Sequence, residues 1–280
     1  MPHPLLGTNA IDEHPRQFLS RLGTVFAEFG ASTQDSGNIS YGIQMDGERF
    51  FVKTAGIPDD PEPFLNHADR VALLRNASLL SRSCDHPALP DLHHVMDSPV
   101  GPMLVYEWLD GELLGAPRSL RNDPQSAHQR FRRLPAAQVE QCLDQIYELH
   151  RDLARIGWVA VDFYDGCLIY DFSSGRLSTV DLDMYRRGPF RNDMGRMFGS
   201  SRFMAPEEFA AGSMIDQQTN VFVMGRAAAI FLSDGTLNQS PFRGSQALHR
   251  VMKRACAPDR RHRFASIETF YNAWRQARRT

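Results

Sequence analysis

Apolar positions in the first part of the chain recur with two different periods. Phe18, Leu19, Leu22, Val25 and Phe26 fall at helical spacing, which predicts a helix over 14–30. From Ser32 onward the texture changes. SYGIQMDGERFFVK (40–53) reads as two strands joined at Asp46-Gly47, a dipeptide that suits a tight hairpin. A second helical stretch is expected over 69–82, ahead of His86-Pro87, and MLVYEW (103–108) reads as a strand. Residues 115–134 are polar and rich in Arg and Pro, which predicts an irregular linker. A long helix from about Pro135 to Ile156 follows, then short strands, then helices to the C-terminus. The pattern is α+β: a β-rich first part and a mainly helical second part.

Within the long helix, Val139, Cys142, Leu143, Ile146, Leu149 and Leu153 form one apolar stripe. Asp152 stands roughly 110° from the centre of that stripe, at about 100° per residue. Arg151 and Arg155 suit the negative end of the helix dipole, and Gly157 suits its stop. His150-Arg151-Asp152-Leu153 is therefore expected to close a helix, with Asp152 solvated. Past Gly157, WVAVDF (158–163) is β-like and carries Asp162. CLIYDF (167–172) and RLSTVDLDM (176–184) form a hairpin around Ser173-Ser174-Gly175, and Asp181 follows its second strand. One carboxylate before a hairpin and one after it can meet at the same end.

Composition narrows the partners. A chain of 280 residues, 42% hydrophobic and 23% charged, is long enough for one large domain or two lobes with real cores. A net charge of −2 argues against nucleic acid or an anionic membrane as partner. No apolar run approaches the roughly 18 residues of a membrane span, and no basic start with an apolar run marks a secretory signal. Cys84, Cys142, Cys167 and Cys256 lack C-x-x-C spacing, which speaks against a metal knuckle or disulfide framework and for a reducing cytoplasm.

The segment 149–183 resembles the catalytic core of the eukaryotic-type protein kinase superfamily, which also contains small-molecule kinases of the aminoglycoside-phosphotransferase kind. That pattern has a helix ending in Leu-His, a turn, an H-R-D or H-G-D triplet, a hairpin, then D-F-G. Leu149-His150 matches the Leu-His, Ala160-Val161-Asp162 takes the H-R-D place, and Asp181-Leu182-Asp183 takes the D-F-G place. Asp181 lies 19 residues after Asp162, which suits the family's hairpin; from Asp152 the separation is 29, which leaves too much chain. GSSRFMAPEEF (199–209) resembles the end of a Ser/Thr kinase activation segment, and RACAPDRRHRF (254–264) supplies Arg263 as the expected partner of Glu207. Asn220 stands where an Asp is usual.

The resemblance implies a bilobal fold. A small β-rich lobe would span 30–108 and a larger, mainly helical lobe 109–280, with 1–29 as a helical N-terminal extension. It implies ATP and Mg²⁺ as cofactors. Asp162 would be the catalytic base and Asp181 the Mg²⁺ ligand, with Asp183 and Asp165 as further candidate ligands. Lys53 would hold the α and β phosphates. Ser36, Gly37 and Asn38, in TQDSGNIS (33–40), would present backbone N–H groups to phosphate, with Ser40 beside them. The backbone at Glu107 and Leu109 would meet adenine, and Glu112 the ribose. Asn76 replaces the Glu expected opposite Lys53, Tyr164 a catalytic-loop Lys, and Cys167 an Asn that holds a second metal. A thiol is a poor ligand for so hard a cation. Arg186, Arg187, Arg191, Arg196 and Arg202 form a basic run, read either as a solvated loop or as a site for a phosphate or acidic acceptor.

Three functions are compatible with these residues. The first is an ATP-dependent phosphotransferase acting on a hydroxyl, that of a Ser or Thr in a protein. The second is a small-molecule kinase of the antibiotic-modifying kind. The third is a pseudokinase scaffold that binds nucleotide without turnover.

Overall fold

The first helix is shorter than its apolar spacing predicts. In the computed structural model, which describes residues 3–31, 36–60 and 63–279, α1 spans Pro15–Leu22 and the His14 side chain accepts from Arg16 N at 3.3 Å. Pro15 opens the helix, where its missing N–H costs nothing. The helix stops at Gly23, whose backbone is extended, and glycine is required there because a Cβ would lie 2.4 Å from Gln44 O. Thr24–Phe29 then form β1, alternating exposed and half-buried, and pair antiparallel with β2, Ile39–Met45. The helix expected over 14–30, and with it a wholly helical extension over 1–29, is corrected: its second half is an edge strand.

The hairpin is as expected. Asp46 and Gly47 take φ of 51° and 86°, and β2 runs back antiparallel as β3, Glu48–Thr54. Helix α2, His67–Ser83, begins where the Asn66 side chain accepts from Asp69 N at 2.9 Å. Strands β4, Leu92–Ser98, and β5, Gly101–Glu107, complete an antiparallel sheet of order β1-β2-β3-β5-β4. Alternation along the strands gives the sheet two apolar faces. Tyr41, Ile43, Phe50, Val52, Met103 and Val105 pack with Leu5, Phe18 and Leu19. Leu104 and Tyr106 pack with Leu74 and Ala77 of α2. These elements make up the first of two compact units, Met1–Leu109; the second is Asp110–Thr280.

The second unit starts with β6, Glu112–Leu113. The stretch 115–134 is not wholly irregular, since α3 spans Ala127–Arg132 with Ser126 accepting from Gln129 N at 3.3 Å. Helix α4, Ala136–Arg155, buries the stripe seen in the sequence. After β7, Trp158–Val159, strands β8, Leu168–Tyr170, and β9, Leu177–Thr179, form the expected hairpin, with β6 on the open side of β8. Short strands β10, Arg186–Arg187, β11, Phe190–Arg191, and β12, Met214–Ile215, pair as β10 with β7 and β11 with β12. Helices α5, Gln217–Phe231, and α7, Ile267–Arg278, pack on α4 and on each other, and α6, Gln246–Ala255, packs on both of them. Tyr147 of α4 donates to Met224 O at 3.0 Å, and Trp274 Nε1 donates to Asp144 Oδ1 at 2.8 Å. The fold is mixed α/β, and no described helix is long and apolar enough to cross a membrane.

Candidate active site

The tetrapeptide at 150–153 is helix. His150 is buried, and its Nδ1 lies 2.7 Å from Ile146 O. That carbonyl can only accept, so Nδ1 carries a proton, and Nε2 lies 2.7 Å from the Tyr185 hydroxyl. Asp152 accepts from Arg151 Nε at 2.8 Å, with Arg155 Nη1 at 3.4 Å. Both side chains have structural partners on or near α4.

Asp162 and Asp181 stand apart from their surroundings in backbone terms. Their φ values are 62° and 60°, and with Asp46 they are the non-glycine residues of positive φ among those described. Such a conformation costs about 1–2 kcal/mol for an L-residue, least for Asp and Asn. One stands before the β8–β9 hairpin and one after it, and backbone bonds tie the two ends. Val180 N donates to Cys167 O at 2.8 Å, Cys167 N donates to Tyr164 O at 3.0 Å, and Cys167 Sγ donates to Asp162 O at 3.3 Å. Burial raises the Tyr164 hydroxyl above its ordinary range, and Cys167, Asp162, Asp181 and Asp165 raise it further. Burial likewise pushes the Cys167 thiol well up, with Asp181 and Asp162 adding to it. Both carboxylates thus act on one phenol and one thiol.

Asn220 fixes the stretch before this loop, and Gly199 and Glu208 lie near it. Asn220 of α5 is buried; its Oδ1 accepts from Ala160 N at 2.8 Å and its Nδ2 donates to Ala160 O at 2.9 Å. Gly199, at φ 129°, neighbours Asp162: a Cβ there would lie in ordinary van der Waals contact with Asp162 Oδ1, at 3.5 Å. Glu208, in the turn Pro206–Phe209, accepts from Ala205 N at 2.6 Å. Burial raises the Glu208 carboxyl to about 7 against that bond, and the charges of Glu207 and Asp162 add to the rise. The expected pair is present: Arg263 Nη1 and Nη2 donate to Glu207 Oε1 and Oε2 at 2.7 and 3.0 Å, both residues buried. Burial would raise Glu207, but the Arg263 bonds outweigh it and hold the carboxyl below its usual range.

Other expected residues are engaged elsewhere. Asp165 is buried, and both its oxygens accept from Arg202 Nη2, at 2.6 and 2.5 Å, while His128 Nδ1 lies 3.1 Å from Oδ2. Burial alone would raise Asp165; His128 and Arg202 hold it low instead. Both oxygens of this carboxylate are engaged by Arg202 and His128. Glu112 accepts from Arg130 Nη1 at 2.7 and 2.9 Å, so its ribose role would require breaking a two-oxygen contact. Asp183 is buried and Asp181 exposed. Among the described residues, no group of three or more His, Cys, Asp or Glu is arranged to hold a metal ion. The basic run does not act as one surface. Arg187 covers the Trp158 ring at 4.3 Å, Arg191 donates to Gly212 O at 2.8 Å, Arg196 donates to Gly199 O at 3.1 Å, and Arg186 covers Phe190 at 4.5 Å.

In the first unit, Lys53 is buried on β3 opposite Leu104, on the face that α2 covers, and Asn76 lies on α2. Gly37 has φ 85°, and a Cβ there would meet Pro63 and Arg70 at 2.4 and 2.5 Å. Its carbonyl accepts from the buried Arg70, which also donates to Ile57 O at 2.8 Å. Ser36 Oγ accepts from Asn38 N at 3.4 Å, and among the described residues Asn38 Oδ1 and Ser40 Oγ are buried without a hydrogen-bond partner. Thr33, Gln34 and Asp35 of the expected loop lie outside the described residues. Glu107 N donates to Asp91 O at 3.0 Å, and half-buried Leu109 ends the unit.

Sequence reasoning missed Glu208, His128 and Arg121. Nothing in the local spacing of 115–134 signals that its side chains return to the loop at 165. No protein-family model matches the chain, and no curated protein matches it.

Proposed function

We propose that the chain is an ATP-dependent phosphotransferase of bilobal protein-kinase-like fold, transferring the γ-phosphate of MgATP to a hydroxyl, that of a Ser or Thr in a protein. The observation that carries this reading is the pair Asp162 and Asp181. Both have left-handed backbone, they flank one hairpin, and both act on Tyr164 and Cys167. A structural turn needs neither the second residue of left-handed backbone nor the side-chain clamp from Asn220 on Ala160, just before the first.

Asp162 orients the acceptor hydroxyl and takes its proton. Asp181, exposed, is the carboxylate left to share Mg²⁺ with phosphate oxygens. Mg²⁺ commonly keeps several waters and takes one or two carboxylates beside phosphates, so such a set fits one ion. Bound there, the ion would neutralise charge developing on the phosphates. Cys167 donates to Asp162 O from a buried site and Asp165 belongs to Arg202, so neither suits a second ion. Lys53 is assigned to the α and β phosphates by its place in FFVK.

The test compares two aspartates. Asp162→Asn is expected to lose transfer by roughly 10²-fold or more while keeping the MgATP-dependent rise in Tm. Asp152→Asn is expected to match the parent protein in both. An inactive Asp152→Asn with an active Asp162→Asn would end this reading. The state of Cys167 favours a second reading, nucleotide binding without turnover. In that case the parent protein shifts in Tm with MgATP but labels no acceptor, nor itself, from γ-labelled ATP.

A further inference from the structure

Residues 114–134 lie directly against the loop that carries Asp162. Leu114 N donates to Leu168 O at 2.8 Å. A Cβ on Gly115 would lie 2.6 Å from Gly166 Cα, an approach that requires glycine. His128 of α3 closes on Asp165, and Gln129 Nε2 donates to Arg121 O at 2.8 Å, which fixes the backbone at Arg121. Arg202, three residues after Gly199, reaches Asp165 from the other side.

Hydrogen bonding at this place is incomplete. Arg202 is paired with Asp165, and Arg121 feels the charges of both Asp165 and Arg202. Among the described residues, the Arg121 guanidinium makes no hydrogen bond or ion pair, and Nε of both Arg121 and Arg202 is buried without a partner. Burial lowers the Arg121 guanidinium below its ordinary range, and the charge of Arg202 lowers it further. A buried donor with no acceptor is costly, and guanidinium is the group best matched to carboxylate or phosphate oxygens. Asp165 follows Asp162 by three residues, which spans at most about 11 Å.

We propose that Arg121 and Arg202, gathered around Asp165 beside the loop of Asp162, form an anion subsite that selects a Ser/Thr peptide with an acidic side chain near the accepting hydroxyl. This rests on the phosphotransferase reading and names the acceptor for it. In an extended peptide, an acidic side chain one to three residues from the Ser lies within the reach just given.

The test begins with binding, without nucleotide. Fluorescence anisotropy compares two labelled Ser-containing peptides that differ only in Asp/Glu or Lys residues at positions flanking the Ser. The parent protein is expected to bind the acidic peptide at least tenfold more tightly. Arg121→Gln is expected to remove most of that preference, and Arg250→Gln, on the exposed side of α6, to leave it intact. Equal binding of the two peptides by the parent protein overturns the proposal, and needs no variant. So does an undiminished preference in Arg121→Gln. Adding MgATP separates the two readings. Acidic-peptide binding without transfer leaves the subsite and removes the phosphotransferase. Transfer that prefers the basic peptide does the reverse.

Discussion

Asn220 holds both backbone polar groups of Ala160, accepting from its N–H at 2.8 Å and donating to its carbonyl at 2.9 Å. Ala160 is two residues before Asp162, so α5 dictates where the strained Asp162 backbone begins. The carboxamide is needed because it both donates and accepts. Asn220→Asp keeps the bond from Ala160 N but turns an oxygen toward Ala160 O. That change is expected to cost about 1–3 kcal/mol, and Asn220→Leu, which leaves both groups buried and unpaired, more. Urea denaturation would measure it as a lowered midpoint at constant slope. An Asn220→Asp protein as stable as its parent would show that the second bond carries no weight.

The Glu207–Arg263 pair joins segments 56 residues apart. Arg263 also donates to Ala257 O at 2.7 Å and to Gln218 O at 3.1 Å, so one guanidinium gathers three stretches of chain. Removing one partner strands the other charge in the interior. Arg263→Met is expected to destabilise the protein by roughly 3–5 kcal/mol. Arg263→Met combined with Glu207→Gln should recover part of that loss, since the stranded charge is gone. A double variant as unstable as the sum of the single ones means that the two side chains are not coupled, as a double-mutant cycle would reveal.

Cys167 occupies a position where chemistry is expected, yet its thiol is buried and raised well above the ordinary range by burial and by Asp181 and Asp162. Reactivity belongs to the thiolate. Iodoacetamide at pH 8 is therefore expected to leave Cys167 unmodified in the folded protein and to label it after denaturation. Cys84, which is half-buried, should react first. Peptide mass spectrometry reads both sites at once, and early labelling at Cys167 would contradict its burial.

Much of this was legible before any coordinates. Asp46-Gly47, the stripe on α4, the β8–β9 hairpin and the Glu207–Arg263 pair follow from periodicity, turn residues and motif spacing, all of them local or family-patterned signals. What failed had a tertiary cause. Val25 and Phe26 continue the helical spacing of α1, but the chain turns extended at Gly23 and pairs with β2, which passes too close there for a side chain. Arg202 and His128, 37 residues on either side of Asp165, meet it across the fold, which its sequence neighbours do not signal. Ion pairs at such separations leave no periodic trace. The basic run divides for the same reason: Arg186, Arg187, Arg191 and Arg196 each meet a ring or a carbonyl, and Arg202 meets Asp165.

Glu208 gives the fold a pH dependence of unusual sign. Its carboxyl is raised to about 7 from an ordinary 4.5, first by burial and then by the neighbouring charges of Glu207 and Asp162, against the bond from Ala205 N and the charge of Arg263. The folded state therefore holds a proton that the unfolded chain releases near pH 4.5. Below that both forms are protonated and the contribution is fully present; as pH rises from there to about 7 it is lost. The loss is on the order of 3 kcal/mol. Glu207, held low by Arg263, acts in the opposite direction, and only when pH falls below the ordinary carboxyl range, so the two windows do not overlap. Glu208→Gln keeps an oxygen for Ala205 N and cannot ionise. Its Tm is expected to stay level between pH 5 and 8 while that of the parent falls by several degrees, and to exceed the parent's at pH 8. Parallel Tm profiles for the two proteins would mean that Glu208 does not titrate in this range.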